Sequence, residues 1–209
     1  MLWEGLNRLV AALALVLLSP VILVVAVWIR IADGPGILFV QDRAGRGGVP
    51  FRMLKFRTMV HDSVALSAQL GISDPFGLVE NDPRITRCGA FLRRTSLDEL
   101  PQLVNVLGGQ MRLVGPRPDV LPQVACYSAE DARRLEVKPG ITGWAQVNGR
   151  DDIDWPQRFA LDRWYVDHWS PALDLRILWR TFATLHRGEP PVHVDELNIR
   201  RARDLDRAA

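Results

Sequence analysis

A run of uncharged residues near the N-terminus constrains the fold of this 209-residue chain more than any other feature. From Leu9 to Ile29 the sequence is dominated by Leu, Val, Ile and Ala, and Ser19 and Pro20 are its main interruptions. As a helix this run would measure roughly 31 Å, which is enough to cross the hydrocarbon core of a bilayer. It is longer than the apolar part of a signal peptide, and no small-residue cleavage site follows it. We therefore expect a retained membrane segment.

Ser19 and Pro20 lie in the middle of the run and make its topology a separate question. Pro20 lacks an N–H group and clashes with the carbonyl of Val16, so a kink is expected there. A re-entrant hairpin bent at this point would place the flanking Arg8 and Arg30 on the same, cytoplasmic side. Its freed backbone groups would need a partner such as the Ser19 hydroxyl. A kinked single span is the alternative, and these residues alone do not decide between the two.

Composition excludes several classes of protein. The 26 basic residues are nearly balanced by 24 acidic residues, so overall charge gives no reason to expect nucleic acid as a partner. Cys88 and Cys126 form no CxxC or Cys/His pattern, which argues against a disulfide framework and a structural zinc site. The charged stretch at 189–209 has no aromatic residues, and we expect a mobile or partner-dependent tail there.

Hydropathy patterns and turn residues predict an α+β fold that is predominantly helical, with one small β-hairpin. The hairpin pairs strands 37–43 and 49–59 around a Gly-rich turn. We expect a short helix and then a loop over 61–79, helix in pieces over 85–107, and a helix over 123–137. A Gly-rich loop with a short strand is expected over 139–150.

Residues 172–186 have the pattern of an amphipathic helix. Leu175, Leu178, Trp179, Phe182 and Leu185 share one face at helical spacing. This face would pack against the core in an ordinary domain. In a chain with a membrane segment, it could equally rest at the lipid interface.

Ser96, Asp98 and Glu99 carry the first candidate chemistry. The pattern Ser-x-x-Glu is that of a capping box, in which Ser96 and Glu99 satisfy backbone N–H groups at the start of a helix. Alternatively, neighbouring acids can divide the roles of nucleophile and of metal or proton handling. Pro101 would disturb a helix that began at Ser96, so the helix either kinks there or begins at Pro101.

The basic residues are the second group with candidate chemistry. Lys55 and Lys138 are the only lysines, which suggests a role that a guanidinium cannot fill. Arg93 precedes the two acids, Arg117 lies between two prolines, and Arg150 ends a Gly-containing segment. Arginines held in such rigid frames are suited to gripping phosphate oxygens. The two acids, the lysine and the arginines next to proline or glycine together favour phosphoryl chemistry.

Five motifs in order resemble one family, the bacterial sugar transferases, and within it the small monotopic polyprenyl-phosphate phosphoglycosyl transferases. The resemblance runs from about residue 9 to residue 187, and it lacks the long amino-terminal extension of larger relatives, as expected of a minimal catalytic unit. The motifs are KFRTM (55–59), DPRIT (82–86), LRRTSLDELPQ (92–102), LVGPRP (113–118) and PGITGWAQVNGR (139–150).

The resemblance implies an enzyme that moves a sugar-1-phosphate from a UDP-sugar to undecaprenyl phosphate with Mg²⁺ and releases UMP. This reaction is the first membrane step of glycan assembly. Asp98 matches the family nucleophile, which forms an aspartyl phosphosugar intermediate, and Glu99 matches its partner; both are the expected magnesium ligands. The positions that match substrate-binding residues are Lys55, Arg93, Arg117, Arg150 and Asp162.

The resemblance also implies a location and a domain order. Ser19 and Pro20 match the break that makes the family's membrane helix re-entrant, which favours the hairpin. We expect a re-entrant helix over 1–31, a catalytic domain over 32–188 with interfacial amphipathic helices, and the tail over 189–209. The protein would lie on the cytoplasmic face of the bacterial inner membrane. Expected partners are the UDP-sugar, undecaprenyl phosphate and membrane lipid, and no nucleic acid is expected. The sequence does not decide whether the protein forms a homo-oligomer.

Two other functions are compatible with the same sequence. One is a membrane-bound scaffold of polysaccharide assembly that has lost catalysis, although every expected catalytic position is filled. The other is a hydrolase that cleaves nucleotide sugars with water as the acceptor. Release of UMP with and without the lipid acceptor separates the three.

Overall fold

The computed structural model describes residues 2–69, 82–149 and 153–187. In this part of the chain, α-helices surround two small sheets, so the predicted helix-rich α+β fold is confirmed. The helices are α1 (Leu2–Ala32), α2 (Ser63–Gln69), α3 (Arg87–Thr95), α4 (Gln102–Leu107), α5 (Leu121–Val124), α6 (Trp144–Val147), α7 (Trp155–His168) and α8 (Pro171–Arg187). The strands are β1 (Leu38–Ala44), β2 (Pro50–Phe56), β3 (Arg112–Val114) and β4 (Gly140–Thr142), and 3₁₀ turns lie at Arg46–Gly48, Leu97–Glu99 and Asp131–Glu136.

Each sheet has two strands. β1 and β2 form the predicted antiparallel hairpin, with Leu38 opposite Phe56. β3 and β4 are parallel and continue into a close backbone contact between Gly115 and Gly140. A Cβ atom on Gly140 would lie 2.1 Å from the backbone nitrogen of Gly115, so only glycine permits this approach. The contact fixes the segment that follows β3.

Helix α1 is continuous from Leu2 to Ala32, and Pro20 lies within it. The Ser19 hydroxyl donates a hydrogen bond of 2.8 Å to the carbonyl of Val16, which Pro20 cannot serve because it has no N–H. The sequence-based expectation that Ser19 satisfies the freed backbone group is therefore confirmed. Among the described residues, α1 is the one helix with the length and composition to cross a membrane.

One face of α1 packs on the rest of the protein along the whole helix. Near its start, Ala11 is buried against Leu103 and Val106 of α4. Near its end, Val25 and Ile29 are buried in a cluster with residues of β2 and α3. The other face exposes a continuous set of apolar side chains: Leu9, Leu13, Val16, Leu17, Leu23, Val24, Val27 and Ile31.

The first turns of α1 also make polar contacts with the domain. The indole of Trp3 donates to the Asp174 carboxylate at 2.8 Å. Asn7, which is buried, accepts from the backbone N–H of Leu113 at 2.9 Å and so caps the edge of β3. Glu4 forms ion pairs with Lys138 and Arg112, so one of the two lysines has a structural partner.

The end of α1 is held in the same way. The Thr86 hydroxyl donates to the carboxylate of Asp33 at 2.8 Å, and Arg57 donates to the Asp33 carbonyl at 2.7 Å. Both ends of the apolar helix are therefore tied by polar groups to one and the same domain.

One of two further predicted helices needs correction. The helix expected over 123–137 is wrong: α5 ends at Val124, and a separate 3₁₀ turn begins at Asp131. Ser128 explains the interruption, since its hydroxyl bonds to the Asp131 carboxylate and accepts from the Asp131 N–H, which replaces helical bonding. The short helix expected within 61–79 is confirmed as α2, and residues 70–81 lie outside the described residues.

Helix α7 was not predicted because its inward face is not uniformly apolar. Leu161 and Tyr165 are buried, but so is Asp162, which breaks the apolar pattern. Its start has a recognisable signal, since Asp154 caps the helix by accepting from the Gln157 N–H and a proline follows in the first turn.

Helix α8 directs part of the predicted apolar stripe outward, whereas Leu178 of that stripe packs against the core. Leu173 and Ile177 are the buried residues, whereas Leu175, Trp179 and Phe182 are exposed. The core-facing interpretation of the stripe is therefore wrong for these three side chains. The second alternative, a face that rests on another surface, is the one compatible with their exposure.

Candidate active site

The acidic pair stands in a tight turn between two helices. α3 ends at Thr95, and Ser96 adopts a left-handed conformation with φ of 56°, which turns the chain sharply into the 3₁₀ turn Leu97–Glu99. Ser96 makes no side-chain capping hydrogen bond to this turn, so the capping-box interpretation is wrong. Pro101 explains the difference: α4 begins only after it, and the Glu99 carboxylate is available for other partners.

Lys55 reaches the pair from β2. The amide of Asn105 in α4 accepts from the Leu54 N–H at 3.0 Å and donates to the Arg52 carbonyl at 2.8 Å, in the part of β2 that directly precedes Lys55. A strand edge is thus bonded by a side chain of the helix that follows the acids. The Lys55 Nζ then lies 2.8 Å from Oε1 of Glu99.

Arg117 meets the same carboxylate oxygen from the segment after β3. Its Nη1 lies 2.9 Å from Oε1 of Glu99, so that oxygen bridges two cations. Asp98 is less closely paired: its Oδ2 lies 3.8 Å from the Lys55 Nζ. Arg93 of α3 donates to the Thr58 hydroxyl at 2.9 Å, and its charge acts on Asp98 by lowering the pKa of that carboxyl. The structure therefore gathers four of the predicted site residues around Asp98.

The two carboxyl groups differ in their electrostatics. Burial raises the pKa of Glu99, but Arg117 and Lys55 outweigh it and bring the pKa to about 2. Burial also raises the pKa of Asp98, and there Lys55 opposes the effect without cancelling it. Burial and the Arg117 charge lower the pKa of Lys55. Glu99 is thus a group that is ionised near neutral pH and held by two cations, whereas Asp98 is a buried acid without a close partner of this kind.

Arg43 belongs to the same region, and the sequence analysis missed it. Burial and the neighbouring Arg117 lower its pKa to about 10. It donates to the Pro118 carbonyl at 3.1 Å and to Gln41. The hairpin register contains the signal: Phe39 pairs with Lys55, and alternate residues of a strand share a face, so Arg43 lies on the face of Lys55.

The remaining predicted residues lie elsewhere or are not described. Arg150 lies outside the described residues. Asp162 is 1% exposed and pairs with Arg134 at 2.6 Å, so the structure does not bring it into contact with the acidic pair. Arg134 in turn donates to the carbonyl of Arg117 at 2.9 Å. Asp162 therefore stands behind the site, two contacts away from Arg117.

The acidic pair is also the predicted magnesium site. Within the described ranges, no group of three or more His, Cys, Asp or Glu side chains is placed to hold a metal ion. Asp98 and Glu99 nevertheless fit Mg²⁺, because this ion is usually bound through one or two carboxylates together with substrate phosphates.

Comparisons with known proteins identify the family of this chain. The family model described as bacterial sugar transferase matches residues 2–188. The uncharacterized sugar transferase EpsL of Bacillus subtilis is 43% identical over 182 residues, which are 87% of this chain and 86% of EpsL. The undecaprenyl-phosphate galactose phosphotransferase of Salmonella typhimurium is 42% identical over 184 residues, which are 84% of this chain and 38% of that protein.

A third relative is named UDP-glucose:undecaprenyl-phosphate glucose-1-phosphate transferase, from Xanthomonas campestris. It is 43% identical over 181 residues, which are 82% of this chain and 36% of that protein. The chain thus spans most of EpsL but less than two fifths of the other two relatives. Because the family model covers nearly the whole sequence, the chain belongs to the bacterial sugar transferase family.

Proposed function

We propose that this chain is a phosphotransferase that moves a sugar-1-phosphate from a UDP-sugar to undecaprenyl phosphate and releases UMP. The names of two relatives describe transfer to undecaprenyl phosphate. The observation that carries the proposal is the placement of a buried Asp98 beside a Glu99 that Lys55 and Arg117 already hold. Such a pair separates a reactive carboxylate from one that fixes the surrounding cations.

In the first step, a carboxylate oxygen of Asp98 attacks the phosphorus that bears the sugar. The bond from that phosphorus to the bridging oxygen breaks, and UMP leaves with the electron pair of that bond. The product is an acyl phosphate that joins Asp98 to the sugar-1-phosphate. In the second step, an oxygen of undecaprenyl phosphate attacks the same phosphorus and releases the Asp98 carboxylate unchanged.

Basic groups make the meeting of these anions possible. Lys55, Arg43, Arg93 and Arg117 gather four positive charges around the acidic pair, and these charges can attract phosphate oxygens. Two successive transfers also avoid bringing donor diphosphate and acceptor phosphate together at once, which Coulomb repulsion makes costly. Glu99, with its pKa of about 2, stays ionised near neutral pH and orients Lys55 and Arg117 rather than donating a proton.

Asp98 and Glu99 are the residues that would hold the magnesium ion of the family. When bound, Mg²⁺ supplies positive charge against the diphosphate oxygens.

We assign α1 to the membrane as a helix that enters and leaves on the same face. Its start is tied to the domain through Trp3 and Glu4, and its end through Asp33. A simple span would separate these ends by a hydrocarbon core of about 30 Å. Contacts of both ends with one domain support the re-entrant topology. The location that we propose, the cytoplasmic face of the bacterial inner membrane, is the one that the family resemblance implies.

The exposed apolar faces support contact with lipid. Exposure to water is unfavourable for the apolar outer face of α1 and for the side chains of Leu175, Trp179 and Phe182 in α8. Phe91 of α3 adds to this surface, packed against Trp28 of α1 at 5.4 Å between ring centroids. An enzyme with a lipid-phosphate acceptor needs its site at the level of the headgroups.

The test is UMP release from a panel of UDP-sugars with undecaprenyl phosphate and Mg²⁺. We expect one or a few sugars to give release that depends on the lipid. Release that is undiminished without the lipid would instead indicate a hydrolase. No release with any sugar would leave the scaffold as the better account.

A further inference from the structure

We propose that Arg134 is a positioning residue that holds the segment Pro116–Asp119 so that Arg117 reaches Glu99. The proposal rests on the proposed function, in which Arg117 binds donor phosphate. Arg134 itself is 2% exposed and does not face the acidic pair.

Every carbonyl of the segment that carries Arg117 is bonded. The Gly140 N–H donates to the carbonyl of Pro116 at 3.0 Å, and the Ala44 N–H donates to that of Asp119 at 2.9 Å. Two side chains hold the carbonyls between them: Arg134 donates to Arg117 at 2.9 Å, and Arg43 donates to Pro118 at 3.1 Å. Because all four carbonyls are bonded, the backbone of this segment is fixed and Arg117 has little freedom to move with it.

Arg134 is buried behind the segment that carries Arg117. Its guanidinium bonds Asp119 and Asp162, and it lies over the rings of Tyr127 and Phe159 at 5.7 and 5.0 Å. Asp162 belongs to α7, so Arg134 connects that helix to the Arg117 segment. Burying an arginine between two carboxylates is costly unless its geometry is used, and here one N–H group is directed at the Arg117 carbonyl.

A lysine at position 134 would keep the charge but not the fork of donors. It could pair with one of the two carboxylates, but it could not also reach the Arg117 carbonyl in the same geometry. Arg134→Lys should therefore loosen the Arg117 segment while it preserves the buried ion pair.

The experiment is a double-mutant cycle of Arg134→Lys and Arg117→Ala, with the affinity for UDP in the presence of Mg²⁺ as the first readout. We expect Arg134→Lys to weaken UDP binding at least about fivefold in the wild-type background and less than about twofold in the Arg117→Ala background. In transfer assays the loss should appear as a higher KM for the UDP-sugar, because a poorly folded fraction would lower kcat instead.

Arg133→Lys is the matched control. Arg133 precedes Arg134 in the same 3₁₀ turn and pairs with Asp167, so it also connects this turn to α7. Its ion-pair partners are Asp167 and Glu136, and we expect UDP affinity within twofold of wild type. If Arg134→Lys fails to fold, as judged by thermal unfolding, Asp162→Asn takes its place with the same expected pattern.

An equal loss in both backgrounds, or no loss in the wild-type background, would overturn the positioning role. The proposed function is judged separately by transfer to the lipid. If the variants show the expected coupling in UDP binding but the wild-type protein transfers no sugar-phosphate, the proposed function is refuted and the role of Arg134 is retained.

Discussion

Lys55 lies closer to Glu99 than to Asp98: its Nζ is 2.8 Å from the Glu99 carboxylate and 3.8 Å from that of Asp98. The lysine therefore neutralises the acid that is already paired with Arg117, and it leaves the buried Asp98 with the weaker contact. A carboxylate that is fully paired is a poor nucleophile, because attack would first have to break its ion pairs. This asymmetry supports the proposal that Asp98 is the reactive member of the pair.

Glu99→Gln separates the role of an anchor from that of a helix cap. We expect transfer to fall by at least about a hundredfold, since Lys55 and Arg117 would both lose their common partner and their orientation. A capping role would cost only about 1 kcal/mol of stability and leave activity intact. Steady-state transfer rates and thermal unfolding of the same preparation distinguish these results.

Lys55→Met should move the acidic limb of the pH–rate profile to higher pH. Burial raises the pKa of Asp98 and the Lys55 charge lowers it, so removal of the charge raises that pKa further. Asp98 would then be protonated, and unreactive, over a wider acidic range. Lys138→Met is the control, because Lys138 pairs with Glu4 and should leave the limb in place. An unshifted limb in Lys55→Met would show that Asp98 does not set it.

The stability of the protein should also depend on pH through Glu99. Its pKa is about 2 in the folded protein against an ordinary value of 4.5. Because the folded value is the lower one, the stabilisation is complete above about pH 4.5 and is lost as pH falls towards 2. The difference in unfolding free energy between wild type and Glu99→Gln should shrink by on the order of 3 kcal/mol across this window. Denaturant titrations at stepped pH measure it, and a constant difference would contradict the ion pairs.

Charges on the outer face of α8 should weaken membrane association. Leu175 and Trp179 are 61% and 72% exposed, so their replacement by Glu should disturb packing little but should oppose contact with lipid. We expect Leu175→Glu with Trp179→Glu to reduce co-sedimentation with vesicles. Val49→Glu, at a 65% exposed apolar residue near the hairpin turn, is the control. Equal binding of both variants would show that α8 does not face the membrane.

The topology of α1 can be tested by single cysteines near residues 2 and 32. The re-entrant helix places both on the cytoplasmic side, so both should be protected from a membrane-impermeant reagent added outside intact cells. Labelling of only one of them would indicate a span. The native Cys126 is exposed and should be replaced first.

Local rules predicted much of this fold. The hairpin followed from alternating strands around a Gly-rich turn, and α8 followed from its helical periodicity. The exposure of Trp179 could not be derived in the same way, because an apolar stripe has the same spacing whether it meets a core or a lipid surface. Helix α7 was not predicted because its buried face includes Asp162, whose partner Arg134 is distant in sequence.

The site was predicted in its residues but not in its geometry. Adjacent acids and framed arginines indicated phosphoryl chemistry, yet the pattern Ser96-x-x-Glu99 equally indicated a cap. Only the fold shows that Pro101 delays α4 and turns Glu99 towards Lys55 and Arg117. Arg43 could have been found from the hairpin register, which places it on the face of Lys55. Arg134 gave no local signal, since its contacts with the Arg117 segment are made across the chain.

The most direct test of the central claim is mass spectrometry of the protein quenched in acid after mixing with its UDP-sugar and Mg²⁺ in the absence of lipid acceptor. We expect a mass increase equal to one sugar-1-phosphate group on the peptide that contains Asp98, lost on addition of undecaprenyl phosphate and absent in Asp98→Asn. Continued formation of lipid product with no such adduct, or normal turnover by Asp98→Asn, would contradict Asp98 as the nucleophile.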